Sequence, residues 1–275
     1  LDEVEAVRFK WNRIIHGDCL EVMKTFSGSM FDMVYIDPPF FTQRVLKGVS
    51  GSYMDKWRNQ EEYLTFIREV LLLVKYVLSF RGSLYYHCDY RTNYLVRPLL
   101  EKLFKFHNEL IWVYKGGAPR TGGKSFVRKH DTIYFVTRTD DYIFNVDAIR
   151  IPYADSSKDL YKRKKIANIH GKSYKWKMNP KGKYPEDVIY AAPMSHNLSE
   201  RTGYPTQKPE VLLETFIKAS TNINDIVLDP FCGSGTMLNV AKRLRRRFIG
   251  IDRNREACEI SANRVFGDGD EYERS

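Results

Sequence analysis

The sequence has no hydrophobic run long enough to span a bilayer. The longest, around Val70–Val74, falls far short of the roughly 20 apolar residues that a membrane helix needs. A secretory signal is also missing from the first ten residues, which carry charges throughout. Cysteine is scarce, with four in 275 residues, at positions 19, 88, 232 and 258. No two have the short spacing of a metal site or redox pair, so no metal is expected and the thiols are read as reduced, in a cytoplasmic protein. Internal repeats and low-complexity tracts are absent, which excludes a solenoid. Acidic residues are the minority among the charges, and the formal net charge is +10.

That excess is local. Between Arg150 and Lys183 stand eleven basic residues, opposed only by Asp155 and Asp159. A net charge of +9 within 34 residues favours a polyanionic partner and salt-sensitive association. Tyr153, Tyr161, Tyr174 and Trp176 are interleaved with the charge, which favours nucleic-acid contact over a merely solvated loop. The candidate phosphate-binding residues are Lys162, Arg163, Lys164, Lys165, Lys172, Lys175 and Lys177.

Hydrophobic patterning alternates strands with helices. Strands are expected at 11–15, 31–36, 82–87, 109–114, 226–228 and 248–251. Helices are expected at 20–25, 61–78, 93–104, 209–219, 237–244 and 255–265. Residues 133–137 and 141–144 read as a hairpin across a polar turn. Residues 41–60 read as a long surface loop that either closes over a ligand or is disordered, and the tail after Gly267 is expected to be disordered. The fold class expected is a doubly wound α/β domain with a mostly parallel, seven-stranded sheet and an antiparallel hairpin. The division expected is a first half over 7–145, a basic inserted recognition segment over 146–200 and a second half over 201–266.

Two strand ends carry the chemistry. The buried strand 31–36 stops at Asp37-Pro38-Pro39-Phe40, because two prolines cannot continue a central ladder. The strand 226–228 ends in Asp229-Pro230-Phe231-Cys232-Gly233-Ser234-Gly235-Thr236 and opens a helix. Glycines there let a backbone approach a ligand, and the helix start offers free amides. Asp252, 17 residues after Gly235 at the end of the next strand, is placed to accept hydrogen bonds from ribose hydroxyls. Leu238 stands where a dinucleotide fingerprint would carry its third small residue, which counts against a nicotinamide cofactor and hence against an oxidoreductase.

These motifs resemble those of the β group of amino DNA methyltransferases. Asp229–Thr236 is similar to that group's S-adenosylmethionine motif and Asp37–Phe40 to its catalytic motif. Tyr204-Pro205-Thr206-Gln207-Lys208-Pro209 resembles the segment before the cofactor motif, and His16-Gly17-Asp18 an element near the N-terminus. The catalytic motif comes first and the cofactor motif last, the circularly permuted order of the group. The resemblance covers roughly residues 14–264 and implies S-adenosylmethionine as cofactor and double-stranded DNA as substrate. It is compatible with a homodimer.

The resemblance further implies that Asp229, Phe231, Gly233, Gly235 and Asp252 line the cofactor pocket. Asp18 would reach the adenine moiety, and Thr206 and Lys208 the amino-acid end. Asp37 and the Pro38 carbonyl would accept the two hydrogens of an exocyclic amine, Pro39 would hold them rigid, and Phe40 would stack on a base flipped from the duplex. Asp rather than Ser at position 37 implies adenine N6 rather than cytosine N4. No cysteine follows a proline, which rules against C5-cytosine chemistry. An RNA substrate and a non-catalytic nucleic-acid-binding protein remain alternatives, the latter opposed by the intact motifs. His87, Asp89 and His130 read as strand-end or turn residues, Asp18 has the alternative of a helix cap, and Tyr114-Lys115 could border the base pocket.

Overall fold

The computed structural model describes residues 10–47, 52–114, 124–163, 166–169, 172–175, 178–191, 200–267 and 273–274. For residues 52, 160–163, 166–169, 172–175 and 273–274 only the backbone is described.

In chain order the elements begin with β1 (Arg13–His16), α1 (Cys19–Lys24) and β2 (Phe31–Ile36). A small pair follows, β3 (Arg44–Lys47) and β4 (Ser52–Asp55), then α2 (Gln60–Val77), β5 (Leu78–Cys88), α3 (Asn93–Leu103), β6 (Lys105–Val113) and β7 (His130–Thr137). The basic region holds α4 (Asp155–Arg163), β8 (Ile166–Ile169) and β9 (Lys172–Lys175), followed by β10 (Val188–Tyr190). The chain closes with α5 (Glu210–Ser220), β11 (Ile226–Asp229), α6 (Thr236–Arg243), β12 (Arg247–Asp252), α7 (Arg255–Phe266) and the two-residue β13 (Glu273–Arg274).

The main sheet runs β10-β6-β7-β5-β2-β11-β12-β1-β13. The seven strands from β6 to β1 match the expected sheet, and two short strands extend its edges. Only β7 runs against its neighbours. The antiparallel pairing is therefore β6 with β7, not the hairpin 133–137/141–144. Beyond Thr137 the side chains of Thr137 and Thr139 donate to the carbonyls of Thr139 and Asp141, so local bonds replace a ladder there. Residues 41–60, expected as loop, hold the β3–β4 hairpin. Its apolar residues stand in adjacent pairs, Val45-Leu46 and Tyr53-Met54, with Val45 and Met54 exposed, so they leave a weak period.

Helices cover both faces of the sheet. On one, Val22 and Met23 of α1, Ile67, Leu71 and Val74 of α2, and Leu100 of α3 pack on Val34, Ile36, Leu84 and Ile251. On the other, Leu212 and Phe216 of α5, Leu238 of α6 and Ala262 of α7 pack on Met33, Tyr35, Tyr85 and Phe248. The period of two within each strand sorts these residues to opposite layers. Among the described residues no helix is long and apolar enough to cross a membrane.

The central join is β2 beside β11, parallel, with Met33 opposite Val227 and Val34 opposite Leu228. The Asp32 carboxylate reinforces it by accepting from the Ile226 amide at 2.9 Å and from the Ser79 hydroxyl at 3.2 Å. All the strand ends that carry motifs thus open at one edge of the sheet.

Gly235 caps α6 with φ +72, and a Cβ there would drive into Ser261 of α7. Gly235→Ala is expected to lose about 1–3 kcal/mol of stability through strain and overpacking, read as a lowered urea midpoint at unchanged slope.

Candidate active site

The loops at this edge enclose a cavity of about 300 Å³. Its walls come from both ends of the chain: Asp37, Pro38, Pro39 and Phe40 after β2, the 204–208 segment before α5, and Asp229, Phe231 and Gly233 after β11. Asp18 and Asp252, after β1 and β12, complete it. Every residue expected at the site lines this cavity except Gly235. Gly235 turns toward Ser261, and its missing Cβ permits a close approach of α6 to α7.

At the cofactor end, the amide of Gly233 donates to Asp252 Oδ2 at 2.9 Å and that of Asn254 to Oδ1 at 2.8 Å. Burial pushes the Asp252 carboxyl up, with these two amide bonds opposing it. The amides fix the carboxylate's orientation and leave its remaining lone pairs for hydroxyl donors. Asp18 serves as the N-cap of α1, accepting from the Leu20 amide at 2.9 Å, while also facing the cavity. A helix cap and a place on the cavity wall therefore coexist in one side chain. Asp229, almost fully buried, accepts from the Phe231 amide, and desolvation raises its carboxyl well above the ordinary value. The aromatic wall is Phe231, edge-on to Phe66 of α2 with centroids 6.2 Å apart.

At the other end, Lys208 Nζ lies 2.5 Å from Asp37 Oδ2 and 3.3 Å from the Thr206 carbonyl. Thr206 itself holds a left-handed φ of +64, which turns the chain so that its carbonyl and the lysine converge. Lys208 Nζ is also 5.5 Å from the Phe40 ring centroid. The second carboxylate oxygen, Asp37 Oδ1, is buried and has no hydrogen-bond partner among the described residues. An unpaired buried acceptor is costly, and the residue that carries it lines a cavity large enough for a donor-bearing ligand.

Several residues of the site leave no mark in the sequence pattern. Asp55, at the end of β4, is fully buried. Its Oδ2 accepts from the amides of Phe40 (3.1 Å) and Thr42 (2.8 Å), and its Oδ1 from the Trp57 indole (2.9 Å). It thus clamps the backbone directly after the proline pair. Tyr53 from the same hairpin and Trp57 just after it line the cavity. The signal that could have found them is the cluster of aromatics and one acid inside a stretch otherwise read as loop. His87, read as a strand-end residue, is fully buried and lies 3.8 Å from Asp37 Oδ1. Tyr114 packs edge-on against Trp112 at 5.3 Å, and Lys115 lies outside the described residues. Lys164, Lys165 and Lys177 also lie outside them, and for Lys162, Arg163, Lys172 and Lys175 only the backbone is described. Among the described residues no group of His, Cys, Asp and Glu has the arrangement of a metal site.

A motif-bearing cavity of this kind can be compared with known proteins. The DNA methylase family of N6/N4 type matches residues 31–263. The chain belongs to this family. Among its relatives, the type II methyltransferase M.BglII of Bacillus subtilis is 32% identical over 94% of this chain and 70% of its own length. M.HpaI of Haemophilus parainfluenzae is 32% identical over 92% of this chain and 74% of its own. The fold is that of solved methyltransferases. The M1.HpyAVI–SAM complex superposes with a TM-score of 0.64 at 24% identity, over 92% of this chain and 98% of that one. The cytosine-N4-specific PvuII methyltransferase gives 0.65 at 18% identity, over 94% and 87%. Membership makes the chain an S-adenosylmethionine-dependent DNA amino-methyltransferase.

Asp55→Ala removes the acceptor shared by three donors. It is expected to lower stability by about 2–3 kcal/mol and to reduce methyl transfer more than S-adenosylhomocysteine binding, compared by calorimetry and by tritiated-methyl incorporation.

Proposed function

We propose that the protein methylates the exocyclic N6 of adenine in double-stranded DNA, at a base flipped into the cavity. The observation that carries this reading is the juxtaposition at one cavity of a buried, unpartnered carboxylate oxygen on Asp37 with the Gly233–Asp252 turn. Asp at the head of the Asp-Pro-Pro-Phe motif favours adenine over cytosine within the family that this chain resembles.

S-adenosylmethionine supplies an electrophilic methyl group when bound. The residues present suit it: Asp252 can accept from ribose hydroxyls, Asp18 can reach the adenine ring, Phe231 offers an apolar face, and Lys208 and Thr206 can meet the amino-acid end. Asp229 holds the turn before them by accepting from the Phe231 amide.

An exocyclic amine is a weak nucleophile, because its lone pair is delocalised into the ring. Asp37 Oδ1 accepts one amine hydrogen and the Pro38 carbonyl the other, which draws the nitrogen toward tetrahedral geometry. Pro39 keeps the chain between them from turning, so the acceptors need no reorganisation during the reaction. Phe40 stacks on the base, and Asp55 holds the Phe40 amide in place. Lys208, paired with the other carboxylate oxygen, holds Asp37 in orientation. The basic residues of 146–200 hold the duplex by its phosphates, with base-edge contacts from the same segment setting the recognised sequence.

Asp37→Ala is expected to abolish methyl transfer while leaving S-adenosylhomocysteine affinity within a few-fold of the original. Full activity of this variant on bacterial DNA would remove the reading. Nucleoside mass spectrometry of the methylated DNA is expected to show N6-methyladenine, and N4-methylcytosine would reassign the base. For the phosphate-binding role, replacing Lys162, Arg163, Lys172 and Lys175 together with Gln is expected to flatten the dependence of DNA affinity on salt. Each cation withdrawn from a phosphate lowers the slope of log affinity against log salt by about one. An unchanged slope would assign DNA binding to another surface.

A further inference from the structure

The alternation of side chains along a strand places four polar residues on one face of the sheet edge, behind the catalytic motif. Tyr35 and Asp37 share a face of the β2 segment. Tyr85 lies opposite Tyr35, so His87 follows on the same face of β5, and Asp131 lies two residues before Ile133, the partner of His87 on β7. His87 is fully buried at the centre of this row. Its Nδ1 is 2.8 Å from the Tyr35 hydroxyl and 3.8 Å from Asp37 Oδ1, and its Nε2 is 3.4 Å from Asp131 Oδ2. Phe40 packs against one side of the ring at 5.6 Å and Trp112 is edge-on at 5.7 Å. One imidazole is thus flanked by two carboxylates, and one of these carries the unpartnered oxygen that meets the target amine.

We propose that His87, oriented by Asp131, acts through Asp37 as a positioning and proton-relay residue for the methylated amine. The inference rests on the functional reading given above. An amine that gains a methyl group must lose a proton. That proton passes to Asp37 Oδ1: the N–H bond breaks, its electron pair stays on nitrogen, and an O–H bond forms. The O–H bond then breaks in turn, its pair stays on Asp37, and the proton joins the lone pair of His87 Nδ1. Asp131 accepts from Nε2–H, which leaves the Nδ1 lone pair to accept from the Tyr35 hydroxyl in the resting state; that hydroxyl rotates away to admit the proton, and Asp131 stabilises the imidazolium once formed. The gap from Oδ1 to Nδ1 must close by about 1 Å to reach hydrogen-bond length, a small rotation of the carboxyl. Asp37 is thereby freed of the amine's proton without waiting for water.

The charged and titratable groups around the imidazole are Tyr35 and Asp37 from the β2 segment, His130 and Asp131 from β7, and Lys208 ahead of α5. Desolvation raises the Asp131 carboxyl, but the hydrogen bond and charge of His87, with Lys208 and His130 beyond, outweigh it and hold the carboxyl below its ordinary value. Asp131 is therefore ionised wherever the relay would operate.

The test is the pH dependence of kcat for the full chain, with S-adenosylmethionine and unmethylated bacterial genomic DNA, comparing wild type, His87→Asn and Asp131→Asn. His87→Asn is expected to lower kcat about 100-fold, with KM for cofactor and affinity for DNA changed less than about twofold. Its profile is expected to lack the acid limb that protonation of His87 gives the wild type. Asp131→Asn leaves the buried ring in place, so it serves where His87→Asn fails to fold. Its acid limb is expected to move to lower pH, because the carboxylate that favours the imidazolium is gone. A His87 variant with wild-type kcat would overturn the relay, and so would a loss of kcat with an unchanged pH profile, or an Asp131→Asn limb that does not move. Those outcomes are distinct from failure of the underlying reading, in which the wild-type chain itself would transfer no methyl group.

Discussion

The site depends on one constraint, the parallel pairing of β2 with β11 at the middle of the sheet. The residues concerned are nearly two hundred positions apart in the chain, and only two pairs of them face each other across the join. Closing so long a loop costs entropy that local interactions do not return. The join is held instead by burial, since Met33, Val34, Val227 and Leu228 are fully enclosed, and by Asp32 reaching across to the Ile226 amide. Everything chemical follows from it. Lys208 can reach Asp37, and the Asp37 oxygen and the Gly233 turn can share a cavity, only because these two strands end side by side. The crevice lies beyond the carboxyl ends of parallel strands, where open α/β sheets commonly bind ligands.

The electrostatics of the cavity are lopsided. Asp18, Asp37, Glu62, Asp229 and Asp252 line it against Lys56, Lys208 and Arg253, and Lys208 is the cation in contact with Asp37. Such a site is costly when empty, because each buried carboxylate gives up hydration. Backbone amides offset part of the cost at Asp229 and Asp252, and burial raises both groups. A ligand carrying positive charge and several hydroxyl or amino donors suits this environment, and S-adenosylmethionine has both. The same excess of acid makes disposal of a proton inside the site a physical question rather than a detail.

Much of this is legible in the sequence, and the rest is hidden for identifiable reasons. Buried parallel strands such as Phe31–Ile36 are continuous apolar runs with abrupt ends, so the pattern marks β2 to the residue, and Asp37 with it. The Gly233 turn and Asp252 are legible because strand, glycine turn, helix and second-strand acid form a fixed local order. The β6–β7 pairing is not, because antiparallel partners 17 or more residues apart leave no turn signature between them. The hairpin carrying Asp55 escapes because its apolar residues stand in adjacent pairs and show little period. Gly235 lies against Ser261 and not on the cavity wall, and a glycine needed for helix packing reads in the sequence like one needed for ligand approach. His87 is passed over because its partners come from β2 and β7, and no spacing in the chain connects them.

The row formed by Tyr35, Asp37, His87 and Asp131 owes its alignment to strand periodicity alone. Loops around it can lengthen or shorten without disturbing it, since they leave the strands in register. A single residue inserted or deleted within β5, between Leu84 and His87, would do what no loop change does. It would turn the imidazole into the opposite helix layer and bring Tyr86 or Cys88 round to face Asp37 in its place. Variation in length among descendants of this chain should therefore collect in its connections, with the strand interiors keeping their count.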